Sequence, residues 1–240
     1  MSRAALQKII EEDFVMSTIS FCSSKGGCAK STTCILTSLE AARAGKRVLI
    51  LDSDPKKWLS GWSDIKEIPE NITVQHVERE EITEQALYAA DEYDVVLIDV
   101  EGSDDASIID AILVSDLVVI PGQASLPDVK AAVQVLKRVR SRSKILGRDI
   151  EARVLLTFTE AGPIEANISK DMRQVLVENN APLMRAQLAH RPIFKSMVSA
   201  GGDYVDLPAR YQGSNLDSAV ENVEAITNEI FTLLRERADK

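Results

Sequence analysis

The sequence lacks several features that would define its class at once. Its 240 residues include three cysteines and two isolated histidines. No apolar run approaches the roughly 18 residues that a membrane-spanning helix needs, and we find no secretory signal. The cysteines, Cys22, Cys28 and Cys34, lie in one short segment without a C-x-x-C pair, which argues against a disulfide framework and a zinc site. These absences predict a cytosolic protein with reduced thiols and no membrane segment.

Positive charge is also scarce. The chain has 28 lysines and arginines against 37 aspartates and glutamates, for a net charge of −9. Because an acidic protein does not attract DNA through its overall field, any DNA binding requires a local basic patch.

One segment has the charge of such a patch. Between Val129 and Arg148 there are seven cations and no acid. It is either a helix C-terminus whose dipole favours cations, followed by a solvated turn, or a surface that contacts DNA phosphates. The candidate DNA-binding residues are Arg138, Arg140, Arg142 and Lys144, with Arg191 and Lys195 as a second cluster.

Apolar runs alternate with helix-period segments along the chain. The runs are typical of strands buried on both faces and lie at 18–22, 47–52, 94–100, 116–121 and 153–158. The helix-period segments lie at 31–44, 81–91, 105–114, 126–143, 164–179 and 215–237. This alternation predicts a single-domain α/β fold, a doubly wound, mainly parallel sheet with helices on both faces. We place the domain at 16–240, and treat 1–15 as an appendage that is either helical or an over-extended start.

A glycine-rich stretch, SSKGGCAKSTT at 23–33, follows the first apolar run and leads into a helix. In this context backbone N–H groups and the helix N-terminus cradle phosphates. Lys30 would neutralise the β- and γ-phosphates, and the Ser31 hydroxyl would bind Mg²⁺. The match to the general G-x-x-x-x-G-K-[ST] pattern is poor, because neither of its glycine positions holds glycine. The match to K-G-G-x-x-K-[ST] is good, and it makes Lys25 part of the motif.

Read in this way, the sequence resembles the ParA/MinD family of deviant Walker-A ATPases. LDSDP at 51–55 is similar to the family's D-x-D-P element, and VVLIDVEG at 95–102 to its Walker-B strand. The resemblance extends from about residue 17 to the C-terminus. It implies an α/β P-loop ATPase that uses ATP and Mg²⁺ and hydrolyses ATP slowly unless it is stimulated. Within the family it suggests the small plasmid-partition type, or the related ATPases that assist DNA transfer from conjugative and tumour-inducing plasmids.

The resemblance also implies roles for individual residues. Lys25 would reach the phosphates of a second copy across an ATP-dependent dimer and stabilise charge during phosphoryl transfer. Asp54 would orient the attacking water, Asp52 would support the Mg²⁺ shell, and Asp99 would hold the metal through water. The implied catalytic set is Lys25, Lys30 and Asp54, and the metal set is Ser31, Asp52 and Asp99. The nucleotide-binding set is Lys25, Gly26, Gly27, Cys28, Ala29, Lys30, Ser31 and Thr32.

Three positions leave alternatives open. Ala29 replaces a glycine that such loops usually keep, and the effect of its methyl group depends on whether φ is positive there. We expect nucleotide binding to survive and hydrolysis to be slow; the alternative of another class is a hydrolysis-impaired, ATP-locked binding module. Asp104 and Asp105 are either switch residues or caps of the following helix, and we favour the caps.

The implied partners are a second copy of the chain in the presence of ATP, non-specific DNA, and a protein that stimulates hydrolysis. That protein would be ParB-like or part of a transfer complex, and the location would be cytoplasmic and nucleoid-associated. A MinD-like membrane attachment is disfavoured because the C-terminal RERADK is polar and of mixed charge. An electron carrier like the nitrogenase iron protein is excluded, since no cysteine follows Cys34. We expect adenine contacts around 157–159 and after Gln187.

Overall fold

A computed structural model of the protein describes residues 16–102, 104–160, 167–212 and 215–238. Its strands, numbered along the chain, are β1 (Ser17–Phe21), β2 (Val48–Asp52), β3 (Ile72–His76), β4 (Val95–Asp99), β5 (Leu117–Gln123), β6 (Glu151–Thr159) and β7 (Leu188–Ala189). All pair in parallel, in the order β3-β2-β4-β1-β5-β6-β7. The predicted parallel α/β fold is therefore confirmed. The appendage assigned to 1–15, and the start of the helix assigned to 164–179, lie outside the described residues.

Helices cover both faces of this sheet. They are α1 (Lys30–Arg43), α2 (Trp58–Ile65), α3 (Ile82–Tyr88), α4 (Asp105–Val114), α5 (Leu126–Leu146), α6 (Asn167–Glu178), α7 (Pro192–Ala200), α8 (Ala209–Gln212) and α9 (Leu216–Ala238). Short 3₁₀ turns lie at Arg79–Glu81, Ala89–Asp91 and Tyr204–Asp206. Buried side chains of α1, α2, α7 and α9 form one hydrophobic cluster with the sheet, and those of α3 to α6 form the other.

Two strands and three helices were missed by the sequence prediction. β3 reads ITVQH, and only Ile72 in it is fully buried, so it has no continuous apolar run. β7 has two residues. Helices α2, α7 and α8 have eight, nine and four residues, which is too short for a clear helical period. All five lie where burial is partial or the element is short.

The register of the central strands places the predicted motifs side by side. Phe21, the last residue of β1, pairs with Asp99 of β4, and Asp52 of β2 pairs with the same aspartate. The loop after β1 and both acids therefore meet at the carboxyl ends of neighbouring parallel strands. This is the edge at which open α/β sheets bind ligands.

A buried ionic group anchors the far end of α1. Glu40 is 1% exposed and accepts a hydrogen bond from the Tyr204 hydroxyl at 2.8 Å. Arg43 pairs with both Glu40 and Asp203, and its guanidinium lies 5.1 Å from the centroid of the Tyr204 ring. Burial raises the pKa of Glu40, and the charge of Arg43 opposes that rise. These contacts fix α1, and with it the loop that precedes it.

The cysteines and the last helix agree with the sequence. All three cysteines are free and buried. Helix α9 buries Val223, Ile226, Ile230 and Leu234 against the core, as its helical spacing predicts. Within the described ranges, no helix has the length and apolar character needed to cross a membrane.

Candidate nucleotide-binding site

The loop between β1 and α1 contains two residues with positive φ. Gly27 has a φ of 74° and Ala29 a φ of 71°. Glycine adopts this conformation freely, whereas in alanine it costs about 1 kcal/mol. Ala29 also occupies the N-cap position of α1 without a side-chain cap. The fold therefore accepts alanine at 29, where such loops usually have glycine, with local backbone strain.

Side chains from β5 and β6 hold this loop through its carbonyl groups. The Gln123 amide donates to the carbonyl oxygen of Gly27 at 3.0 Å, and the Thr157 hydroxyl donates to that of Cys28 at 3.1 Å. The backbone N–H groups of Gly26, Gly27 and Cys28 donate to no residue in the described part of the chain. Such N–H groups, beside a helix N-terminus, are the ones that bind phosphate.

Lys30 is buried, with its ammonium group inside the loop. Nζ donates to the carbonyl oxygen of Lys25 at 3.1 Å. Gly102, just after β4, packs against the same atoms: a Cβ there would lie 2.6 Å from that carbonyl oxygen and 2.8 Å from Nζ. Glycine is therefore required at 102 by this close approach. Sequence reasoning assigned no role to Gly102, because the contact joins two loops distant in the chain.

Ser31 and Asp99, both in the predicted metal set, are in direct contact. The Ser31 hydroxyl donates to Oδ2 of Asp99 at 2.5 Å, while Oδ1 is buried with no partner among the described residues. Burial raises the pKa of Asp99 to about 7, against the effects of the Ser31 hydrogen bond and the Lys30 charge. A hydroxyl beside an unpartnered carboxylate oxygen fits Mg²⁺, which prefers oxygen ligands.

The two acids of the D-x-D-P element have different contacts. Asp52 is fully buried, and its Oδ2 accepts hydrogen bonds from the N–H of Leu59 at 3.1 Å and from the N–H and hydroxyl of Ser60, each at 2.9 Å. It therefore caps α2, which receives no side-chain cap from its own N-cap residue. Asp54 is half-buried in the turn before α2, where its Oδ1 accepts one backbone N–H at 2.9 Å. Asp52 thus links this edge of the site to α2.

Lys25 is placed differently from Lys30. Its Nζ lies 3.5 Å from Oδ2 of Asp128, in the first turn of α5; the Lys25 side chain is 40% exposed and that of Asp128 only 9%. Asp128 is itself fixed by Ser125, whose hydroxyl donates to its carboxylate. Lys25 is thus held at the surface of the loop. Asp128 was missed by sequence reasoning, since nothing in the sequence relates it to the loop about 100 residues earlier.

The acids after the Walker-B strand act at helix α4. The Asp104 side chain accepts the N–H groups of Ala106 at 3.0 Å and Ser107 at 3.2 Å, which confirms the predicted helix cap. Asp105 lies in the first turn of α4 and pairs with Arg138 at 2.5 Å. Arg138 is half-buried, and its charge is paired with an acid of the same chain.

The other candidate DNA-contacting residues fall into two places. Arg140 and Lys144 are exposed on α5, and Arg140 also donates to a backbone carbonyl at 2.9 Å. Arg142 is half-buried. The second cluster lies at the start of α7, on the other face of the sheet: Arg191 and Lys195. Within one chain, the two clusters do not form one surface.

The parallel sheet, the loop between β1 and α1, and the acids at the ends of β2 and β4 define a P-loop ATPase of the ParA/MinD class. Comparison with known proteins then identifies the family within this class. The chain belongs to the VirC1 family, because the family model described as "VirC1 protein" matches residues 16–235.

Individual relatives agree with this class. "Protein ParA" from Rhizobium radiobacter is 30% identical over 226 residues, which cover 92% of this chain and 99% of that protein. The structure of apo McdA from Cyanothece has a TM-score of 0.69 at 18% identity, covering 88% of this chain and 99% of its own. The septum site-determining protein MinD complexed with Mg-ADP, from Pyrococcus horikoshii OT3, has a TM-score of 0.69 at 15% identity, covering 94% and 100%. The resemblance to the ParA/MinD family is confirmed, and the two structures support its fold.

Proposed function

We propose that the protein is an ATPase that dimerises when it binds ATP, binds DNA without sequence preference, and positions DNA cargo. In this proposal a partner protein stimulates hydrolysis, which is slow by itself, and the ATP-bound form associates with the nucleoid. Plasmid partition and assistance to DNA transfer use this same cycle with different cargo. The proposal depends chiefly on Lys25, a cation at the mouth of a phosphate-binding loop that already contains Lys30.

The contrast between the two lysines supports a dimer. Lys30 is buried beside the loop backbone, where it would neutralise phosphates bound by its own chain. Lys25 is 40% exposed and paired with an acid outside the loop, so it is available to a nucleotide held by a second copy. Two facing triphosphates would repel each other, and a lysine from each chain offsets that repulsion. Dimerisation therefore depends on the nucleotide.

The remaining residues fit ATP hydrolysis. Ser31 and Asp99 would hold Mg²⁺, which when bound neutralises charge on the β- and γ-phosphates. Asp54 would orient the attacking water from the turn before α2. Because Asp52 caps α2, a movement of Asp52 at the nucleotide site would also move that helix. The strain at Ala29 favours slow turnover, and it makes a hydrolysis-impaired, ATP-locked binding module the second candidate.

The exposed cations of α5 support DNA binding. Lys130, Lys137 and Lys144 recur at seven-residue intervals, two helical turns, so they lie along one face together with Arg140. Dimerisation would double this basic stripe, Lys130, Lys137, Arg140 and Lys144. Phosphate contacts of this kind give affinity that is independent of sequence and falls with salt.

Retention on immobilised non-specific DNA, measured with ATP and with ADP, tests the DNA assignment. We expect wild-type protein to be retained with ATP at low salt and released as salt rises. Lys137→Glu/Lys144→Glu should abolish retention without changing ATP affinity. Lys46→Glu/Lys66→Glu makes the same charge change far from α5 and should be retained. Equal retention of both variants would refute the assignment to α5.

Single-turnover hydrolysis of bound ATP separates the two candidate functions. The ATPase proposal expects slow release of phosphate in the presence of Mg²⁺, with a rate that DNA and partner change. An ATP-locked module would bind ATP and release no phosphate over many hours.

A further inference from the structure

A groove with a cavity volume of about 880 Å³ runs between α9 and the edge of the sheet, and no residue of the nucleotide site lines it. One wall comes from β6 and the segment after α6: Arg153, Pro182, Leu183 and Arg185. The other wall includes a stripe of α9 with spacings of three or four residues, which place it on one face of the helix. The stripe consists of Glu221, Glu224, Asn228, Thr232 and Glu236.

The stripe carries carboxylates that the protein does not neutralise. No residue of the described ranges bonds or pairs with its three acids: Glu221, Glu224 and Glu236. Glu229, which also lines the groove, differs because its oxygens accept two backbone N–H groups at 2.8 Å each. In the opposite wall Arg153 pairs with Glu151, which leaves Arg185 facing three acids. The groove therefore has an excess of negative charge.

A buried acceptor lies at the middle of the stripe. Asn228 is 8% exposed, and its Oδ1 is buried without a hydrogen-bond partner among the described residues. Glu224, one turn earlier, is 9% exposed. Buried polar groups of this kind are costly unless a donor satisfies them. Burial raises the pKa of Glu40 beneath this helix, the charge of Arg43 opposes the rise, and the charge of Glu224 adds to it.

We propose that this groove binds an extended segment of a partner protein that contains lysine or arginine at alternate positions. Positions four apart on a helix are separated by about 6 Å along its axis, and alternate side chains of an extended chain by about 6.6 Å, so alternate side chains of such a segment can follow the stripe. Its acids lie at the two ends, Glu221 and Glu224 at one and Glu236 at the other, with polar Asn228 and Thr232 between them. The stripe spans about 22 Å, the length of six or seven extended residues.

The lining suits such a segment better than a small cation. Leu183, Ala225 and Leu233 give the groove apolar surface, against which the stems of lysine and arginine pack while their charged ends reach carboxylates. The acids are spread along a helix rather than gathered around a point, and the described residues contain no group of three or more His, Cys, Asp or Glu side chains that could hold a metal ion. A second copy of this chain has a net charge of −9, which opposes its approach to an acidic groove. The inference does not depend on ATP hydrolysis.

Binding of a labelled peptide to the full chain tests this inference. The probe is a fluorescent, end-blocked (Lys-Ala)₄ peptide, and (Glu-Ala)₄ is its negative control. We expect saturable binding that weakens with salt. Glu221→Lys/Glu236→Lys should weaken it by about tenfold or more, since two ion pairs become two repulsions. Glu84→Lys/Asp91→Lys changes the same charge at exposed sites by α3, across the sheet, and should bind as wild type does.

Two further measurements distinguish a peptide groove from a damaged fold, a polyamine site and a dimer interface. Glu224→Gln keeps the shape of the buried side chain and should also weaken binding, with an unchanged melting temperature showing that the fold is intact. The proposal is overturned if (Lys-Ala)₄ fails to saturate, or if the groove and control variants bind it equally. It is also overturned if spermidine binds more tightly than the peptide, or if Glu221→Lys/Glu236→Lys removes self-association of the protein alone.

Discussion

Releasing Lys25 from Asp128 should strengthen the ATP-dependent dimer. In the single chain Lys25 Nζ lies 3.5 Å from a carboxylate that is 9% exposed, while the lysine is 40% exposed. To reach a second nucleotide the lysine has to leave this ion pair. Asp128→Asn removes the charge and keeps an oxygen that can accept the Ser125 hydrogen bond. The substitution therefore acts on Lys25 with little change in the shape of the site.

The size of this effect follows from the exposure of the pair. A partly exposed ion pair contributes about 1 kcal/mol, and 1.4 kcal/mol corresponds to about tenfold in an equilibrium constant. Each of the two copies releases one lysine, so the gain per dimer is about 2 kcal/mol. Asp128→Asn should thus tighten dimerisation with ATP by about 25-fold and leave the protein monomeric with ADP. Sedimentation over a range of protein concentrations measures the dimerisation constant with ATP for wild type and for Asp128→Asn, and shows whether each is monomeric with ADP.

A double-mutant cycle shows whether the effect acts through Lys25. In a Lys25→Met background, where there is no cation to release, Asp128→Asn should have no effect on self-association. The reasoning is refuted if Asp128→Asn weakens the ATP dimer, because Asp128 would then position Lys25 for its partner. It is equally refuted if the effect persists in the Lys25→Met background.

Three other predictions concern the loop and the Walker-B strand. Ala29→Gly relieves a positive φ and should raise the free energy of unfolding in urea by about 0.5–1 kcal/mol, whereas Ala44→Gly, at a φ of −83° at the other end of α1, should lower it. Gly102→Ala forces a Cβ into the loop and should weaken ATP binding in calorimetry by about tenfold or more; Gly61→Ala, with no atom within 4 Å of its added Cβ, should bind ATP normally. Because burial raises the pKa of Asp99 from 3.8 to about 7, the folded protein keeps a proton there that the unfolded chain loses. Without nucleotide and Mg²⁺, stability should therefore fall between about pH 4 and pH 7 by about 4 kcal/mol relative to Asp99→Asn; parallel pH profiles would contradict this.

The sequence predicted what depends on local pattern. The five central strands are continuous apolar runs, and the loop motif, Asp52 and Asp99 follow them at fixed positions. The spacing therefore placed the loop and both acids at one edge of the sheet. It missed β3, where polar and apolar residues mix, and it assigned Arg138 to a DNA surface, although the side chain pairs with Asp105.

The sequence did not predict contacts that exist only because distant segments fold together. Gly102, just after β4, and Asp128, in the first turn of α5, both approach Lys25, and neither belongs to a motif around the loop. The two tryptophans of α2 differ through a contact of the same kind. In the structure the Trp62 indole donates to the carbonyl oxygen of Gly202 at 3.0 Å, whereas Trp58 is 53% exposed.

The most direct test is the mass of the protein in solution with Mg²⁺ and either ATP or ADP, measured for wild type and for Lys25→Met. We expect a dimer only for wild type with ATP, while the variant binds ATP through the remaining loop and stays a monomer. A Lys25→Met protein that dimerises with ATP as readily as wild type would contradict the claim that this lysine joins two copies through their nucleotides.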